Sequence, residues 1–206
     1  MTTSTRYKFS VTGMPAQKEF MESTADELLG TGSFGAGKSR LLCERGLLLS
    51  LKYPGNFGAI FRKTLASLRV TTMQTWFRDT CPPNYIKSMN NLTNSCELVN
   101  GSKIVFLGLD DYLKIGSLEL GWAAVDEAIE INEDDYMMLL GRLRLNTVPF
   151  RQIFLATNPG APVHFLYQRF YMQQMGHKVE FNSLQNPYTP EDYKARLQRF
   201  TGRYKE

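Results

Sequence analysis

Residues 30 to 42 read GTGSFGAGKSRLL, and Gly32-Ser33-Phe34-Gly35-Ala36-Gly37-Lys38-Ser39 within them has the spacing G-x-x-x-x-G-K-S. Glycine is the residue that loses most freedom on folding, so a cluster this dense needs a reason. A plain glycine-rich turn is one. The other is a loop whose backbone N–H groups curl around a phosphate, backed by the N-terminus of the following helix. In that reading Lys38 reaches the β- and γ-phosphates of a nucleotide and Ser39 places its hydroxyl on Mg²⁺. Arg40, next on the helix, ends the expected nucleotide-binding run.

A second group with chemical capacity lies in GWAAVDEA. An apolar strand from Trp122 to Val125 ends in Asp126 and Glu127, and two adjacent carboxylates at the end of a buried strand repel unless a cation sits between them. Asp126 suits a Mg²⁺ site reached through the ion's water shell, and Glu127 suits a general base that polarises an attacking water. The plainer alternative makes them the first polar residues of a loop. A third group is LATNP, where a buried strand ends in Thr157 and Asn158. Ligands of open α/β sheets sit at the carboxyl edge of the strands, where these side chains can sense a γ-phosphate. An ordinary turn before Pro159 explains the same stretch.

These residues need a scaffold that brings several strand ends together. Pro15 to about Ser23 reads as a helix with proline in its first turn, and Glu27 to Gly30 as a short strand leading into the glycines. KSRLLCERGLLLSLK is a helix stopped near Pro54, FGAIF a buried strand, and TLASLRVTTMQTWF a second helix. Two apolar runs joined by Asn100-Gly101 predict a hairpin near 95–107. Asn132 is placed to cap a helix whose first turn is Glu133, Asp134 and Asp135. QIFLATNP and KVEFNS are further strands; Val163, Leu166, Tyr167, Phe170 and Tyr171 have helical spacing; and a last helix after Pro190 carries Tyr193, Leu197 and Phe200 on one face. Strands alternating with helices predict an α/β fold with a mainly parallel central sheet plus the hairpin, and the G-x-x-x-x-G-K-S loop with the acid pair makes a P-loop NTPase of the ASCE type the expected form of that fold.

The chain has 206 residues, enough for one large domain or one domain with an appendage. It contains no run of 18 apolar residues and no leader-like N-terminus, which predicts no membrane partner. Cys43, Cys81 and Cys96 lack metal-ligand spacing and read as reduced thiols; His164 and His177 are isolated, giving no zinc site. The net charge of +4 is uneven: residues 38–78 hold eight Lys and Arg against one acid, 108–141 nine acids against one base, and 142–206 ten bases against four acids. Solvated helix faces account for such blocks, and so does a protein that meets polyanions around a central cation site.

Taken in order, the motifs resemble the N-terminal ATPase domain of the large terminase subunit, the motor that packs DNA into tailed-phage capsids. MPAQKEFMES is similar to the family's adenine-contacting motif with Gln17 as the matching residue, GSFGAGKS to its Walker A, and LGLDDYLKIGSLELGWAAVDEA to its Walker B and catalytic glutamate. IFRKTLASLR, GRLR, ATNPG and NPYTPEDYKARL are similar to its later segments, Thr157 and Asn158 falling in the coupling motif. The resemblance implies an Mg²⁺-dependent ATPase that drives double-stranded DNA into a procapsid in the host cytoplasm. It further implies a homo-oligomeric ring, pentameric when docked, with the portal protein and the terminase small subunit as partners. Residues 1–185 would form the ATPase core and 186–206 a lid and linker helix leading toward a nuclease domain that this stretch lacks. Many family members carry an arginine inside Walker A; here Ser33, Phe34, Gly35 and Ala36 hold those positions. The stimulatory arginine is therefore expected elsewhere, with Arg142 and Arg144 on a short helix as first candidates acting on a neighbouring subunit, and Arg40 and Arg62 after them. A surface or DNA-facing role explains Arg142 and Arg144 equally, and a solvent-facing helix position explains Gln17. A helicase-like or other DNA-dependent ATPase, a P-loop kinase and a nucleotide-gated ring-assembly module are the competing functions.

Overall fold

The computed structural model describes residues 7, 9–110, 112–197 and 199. Its frame is an eight-stranded sheet in the order β3-β4-β5-β2-β6-β7-β1-β8. The strands are β1 (Glu27–Gly32), β2 (Phe57–Arg62), β3 (Ile86–Asn90), β4 (Ser95–Leu98), β5 (Lys103–Gly108), β6 (Trp122–Asp126), β7 (Gln152–Thr157) and β8 (His177–Phe181). β5, β2, β6, β7, β1 and β8 run parallel, while β4 lies antiparallel to both β5 and β3. The expected α/β sheet and its hairpin at Asn100-Gly101 are present; Gly101 takes a φ of 83°, which glycine adopts without penalty.

The apolar runs become central strands because helices cover both sheet faces. β6 and β7 are buried along their whole length. Alternate β6 residues feed two cores: Trp122 and Ala124 face one, with Phe20, Leu42, Leu47, Trp76 and Phe154, and Ala123 and Val125 face the other, with Phe61, Tyr136, Leu139, Leu155 and Phe170. The first core is covered by α1 (Pro15–Glu22) and by α2 (Lys38–Lys52), the helix that follows the glycine loop. Trp122 lies between two chain segments that only glycine permits: a Cβ at Gly58 would stand 1.9 Å from its Cε2, and one at Gly46 on α2 2.7 Å from its ring. Its indole N–H donates to Ser50 Oγ at 3.0 Å. The second core packs under α6 (Glu133–Leu140), which begins with the expected Asn132 cap: Asp135 N–H donates to Asn132 Oδ1 at 2.8 Å and Asn132 N–H to Asp135 Oδ2 at 3.1 Å.

Three expectations need correction. The helix read over 64–77 is broken: α3 (Leu65–Val70) stops at Thr71, whose φ and ψ are −128° and −92°, and α4 (Thr72–Gln74) passes into π-helical turns at Thr75–Thr80. The β-branched run Val70-Thr71-Thr72 weakens the helix at that point. Strand β3 has no counterpart among the expected elements, because four of its five residues are exposed and carry no apolar alternation. Arg142 and Arg144 do not lie on a helix; after α6 ends at Leu140, Arg142 sits in a turn and Arg144 in the irregular chain beyond it. The helical spacing at 163–171 becomes α7 (Phe165–Tyr167) followed by π turns at Gln168–Met172, and the last helix is α8 (Glu191–Leu197). Phe200 lies outside the described residues, as do 201–206. No helix of the described residues is long and apolar enough to cross a membrane. Cys43, Cys81 and Cys96 are buried and unbridged, and burial pushes the Cys81 and Cys96 thiols up to about 12.

Candidate nucleotide site at the carboxyl edge of the sheet

Parallel strands bring their carboxyl ends to one edge, and β2, β6, β7 and β1 stand side by side there. The glycine loop leaves β1, Asp126 ends β6 and Thr157 ends β7, so β7 separates the loop from the acid pair. α2 starts at Lys38, which aims the helix N-terminus into the loop. Gly35 and Gly37 both have φ of 79°, the left-handed turn the glycine spacing predicts.

The loop residues and the acids meet. Lys38 is buried, and its ammonium donates to Gly32 O and Ser33 O, each at 2.6 Å, and to Asn158 Oδ1 at 2.9 Å. Ser39 Oγ donates to Asp126 Oδ1 at 3.1 Å, joining residues 87 positions apart. Asn158 spans the site: while its oxygen accepts from Lys38, its Nδ2 donates to Glu127 Oε2 at 3.3 Å. Thr157 is buried beside it. Glu127 sits in left-handed backbone, φ 50° and ψ 50°, which costs a non-glycine residue free energy and aims the carboxylate over the edge. Burial, then the neighbouring Asp126 charge, raises the Glu127 carboxyl above the usual range, against the pull of Lys38 and Arg62. The donors at Ser39 and Asp126 are hard oxygens, the kind Mg²⁺ takes. Their 3.1 Å separation lets one hydrated ion meet both.

One partner of Asp126 lies outside the motifs. Thr72, fully buried where α3 breaks, donates from Oγ1 to Asp126 Oδ2 at 2.5 Å. With Ser39 and the Glu127 amide on Oδ1, it holds both carboxylate oxygens in place. No sequence signal marks a threonine 54 residues upstream of an acid.

Two cavities meet at Ala36 and Gly37 of the loop and at Arg40 just after it. One of about 330 Å³ lies over the glycine loop and is walled by Lys38, Ser39, Glu127, Asn158, Thr75 and Asp79. The other, about 620 Å³, extends away past Arg40 to Gln17, Phe9, Met14, Thr80 and Tyr188. Gln17 is buried against this second cavity rather than facing solvent. Arg40 donates from Nε to Glu44 Oε1 at 2.6 Å, and Tyr7 bonds the other oxygen of that buried carboxylate. The C-terminal segment closes on the loop as well: Asn186 Nδ2 donates to Gly35 O at 2.8 Å and Thr189 Oγ1 to the same oxygen at 3.2 Å. Ser33 Oγ lies 2.8 Å from Ser183 Oγ. Phe34 is half-exposed at the loop tip.

Arg142 and Arg144 sit at the opposite edge. The Leu120 N–H donates to Arg142 O at 2.7 Å just before β6 begins, the Arg142 guanidinium donates to Gly116 O at 2.5 Å, and Arg144 pairs with Glu119 at 3.4 Å. Leu120 to Asp126 spans roughly 20 Å of extended chain at about 3.3 Å per residue, so neither guanidinium reaches Asp126 or Glu127 of its own chain. Arg62 is at the correct edge: it ends β2, donates to Thr71 Oγ1 at 3.1 Å and pairs with Glu130 at 3.0 Å.

Known proteins share this fold. A search of curated protein sequences gave no match. Among solved structures, the large terminase of a thermophilic bacteriophage superposes with a TM-score of 0.80 at 16% identity, over 92% of this chain and 50% of that one. The same terminase in complex with ADP gives 0.75 at 17%, with 92% and 50% covered. The large terminase ATPase domain of Thermus phage P74-26 gives 0.66 at 14%, over 94% and 89%. The chain thus spans about half the length of the thermophilic-phage terminase, and at these identities the likeness is one of fold. The sequence profile described as phage terminase large subunit matches residues 27–201, taking in the glycine loop, the acid pair and Thr157-Asn158, and by that match the chain belongs to the phage terminase large subunit family.

Proposed function

We propose that this chain binds and hydrolyses ATP and that its turnover powers the movement of double-stranded DNA into a procapsid. The observation that carries the reading is the Lys38–Asn158–Glu127 bridge beside the Ser39–Asp126 pair. Phosphoryl transfer needs little covalent help and much charge neutralisation and positioning. Lys38 supplies a cation to the β- and γ-phosphates, and the loop amides supply dipoles. Ser39 and Asp126 would hold Mg²⁺, which when bound neutralises charge building on the phosphate oxygens. Glu127 accepts the proton of the attacking water. Asn158 touches both the phosphate-side lysine and the base, so a γ-phosphate that draws Lys38 away from Asn158 also changes what Asn158 offers Glu127. Thr157 supports that strand end. Gln17, with both a donor and an acceptor, reads the base in the larger cavity. Family membership and the ADP complex of the thermophilic-phage terminase support this reading.

In the same reading residues 1–185 are the catalytic core and 186–206 a lid and linker; the bonds from Asn186 and Thr189 to the glycine loop support the first part of that division. The working assembly is a homo-oligomeric ring on a portal, fed by the terminase small subunit in the host cytoplasm. A motor that ignores sequence grips DNA phosphates, so its DNA-stimulated rate falls steeply with salt. The direct test is phosphate release from Mg-ATP with and without duplex DNA. We expect turnover that duplex DNA raises and that about 0.2 M added salt lowers; purified, folded chain that binds no Mg-ATP would end the reading.

Arg142 and Arg144, remote from Asp126 and Glu127 of their own chain, serve in this reading as stimulatory arginines for the next subunit. Mixing Arg142→Ala chains with unaltered ones should lower turnover more than in proportion to the fraction added, because each altered chain also silences a neighbour. A strictly proportional fall would show that the arginine has no such role.

A further inference from the structure

A nucleoside triphosphate whose phosphates lie in the glycine loop and whose base lies in the larger cavity must pass its sugar through the place where the two cavities meet. The residues that wall both are Ala36, Gly37, Arg40 and Asp79. Ala36 and Gly37 offer no polar side chain. Arg40 has donors only, and its guanidinium is held inward by the buried Glu44. A ribose presents a vicinal pair of hydroxyls, both able to donate, so the sugar needs an acceptor at this point. Among the described residues, Asp79 is the one acceptor side chain that walls both cavities.

We propose that Asp79 recognises the ribose hydroxyls and makes the site select a ribonucleoside over a 2′-deoxyribonucleoside triphosphate; this rests on the ATP-binding reading above. Its position follows from the irregular helix: Thr75 and Asp79 fall on the π-helical turns, and the wider turn sets both against the cleft. Arg78 meets the carboxylate from the solvent side, with Nε 3.0 Å from Oδ1 and Nη2 2.9 Å from Oδ2. That pairing keeps Asp79 ionised and oriented while leaving lone pairs on both oxygens, and a charged acceptor strengthens each hydroxyl bond. About a third of the Asp79 side chain is accessible, so a sugar can reach it without displacing the core.

Isothermal titration of the unaltered chain with Mg-ATP and with Mg-2′-deoxy-ATP decides the matter. The expected result is binding of ATP about tenfold tighter than of deoxy-ATP, the scale of one hydrogen bond to a charged group. Asp79→Ala should bind the two nucleotides equally and no more tightly than the unaltered chain binds deoxy-ATP, whose 3′-hydroxyl contact it also loses, and Asp79→Asn, which keeps a carbonyl acceptor, should fall between the unaltered chain and Asp79→Ala. Equal affinities in the unaltered chain, or a preference that survives in Asp79→Ala, would overturn the assignment. Absence of heat with both nucleotides would overturn the ATP site itself, an outcome told apart because ATP binding is lost along with the discrimination.

Discussion

Glu127→Gln should bind Mg-ATP within about threefold of the unaltered chain and hydrolyse it about 10²–10⁴ times more slowly, the usual contribution of a positioned general base. In the proposed reading the substitution removes the proton acceptor and little else. The amide oxygen of glutamine can still accept from Asn158 Nδ2, which now meets Glu127 Oε2 at 3.3 Å. The backbone at φ 50° is no worse for glutamine than for glutamate. Loss of one of two adjacent carboxylates also relieves the repulsion that, after burial, raises the Glu127 carboxyl, so thermal stability should hold or rise slightly. Single-turnover phosphate release measures the rate and calorimetry the affinity. An unchanged rate would remove Glu127 from the chemistry. The same variant separates a motor from a nucleotide-gated assembly module, since a motor loses packaging with hydrolysis whereas a module that needs only bound ATP keeps its function.

Gly58→Ala should destabilise the fold by about 3 kcal/mol or more, at the upper end of what overpacking a buried site costs. The new methyl would stand 1.9 Å from Trp122 Cε2 and 2.4 Å from its Nε1. The indole has no room to yield. Its far edge lies against Gly46, where a Cβ would stand 2.7 Å away, and its N–H is tied to Ser50 Oγ at 3.0 Å. Relief must come from separating β2 and β6, the neighbours whose ends carry Arg62 and Asp126. Urea denaturation reads the loss as a lower midpoint at unchanged slope. Trp122→Leu costs stability by itself through the cavity it leaves, yet combined with Gly58→Ala it should cost less than the two changes added together, because each removes the other's defect. Additive losses would show that the glycine and the indole are not in conflict.

The particular elements show why some of this was legible in the sequence and some was not. β2, β6 and β7 are buried on both faces, and such strands must be written as short apolar runs. The glycine loop is legible because its backbone makes the cradle, and glycine readily provides the positive φ seen at Gly35 and Gly37. The Asn132 cap is legible because its partner, Asp135, lies three residues on. Edge strand β3 buries almost nothing and so leaves no pattern. Thr72 and Asp79 owe their places to the switch between α and π turns, which changes which side of a helix faces the cleft. Residue spacing at a period of about 3.6 cannot express that change. Arg142 and Arg144 stand close in sequence to the acid pair, but one strand length puts them at the other edge of the sheet.

Both tryptophans of the chain, Trp76 and Trp122, are sealed from water. Trp122 begins the strand that ends in Asp126, and Trp76 lies on the π-helical turns between Thr75 and Asp79. The tryptophan fluorescence of the protein therefore comes wholly from indoles in apolar surroundings, one on each of two segments that reach the cleft. Loss of the fold moves both into solvent and reddens the emission, so the unlabelled chain carries its own optical gauge of integrity.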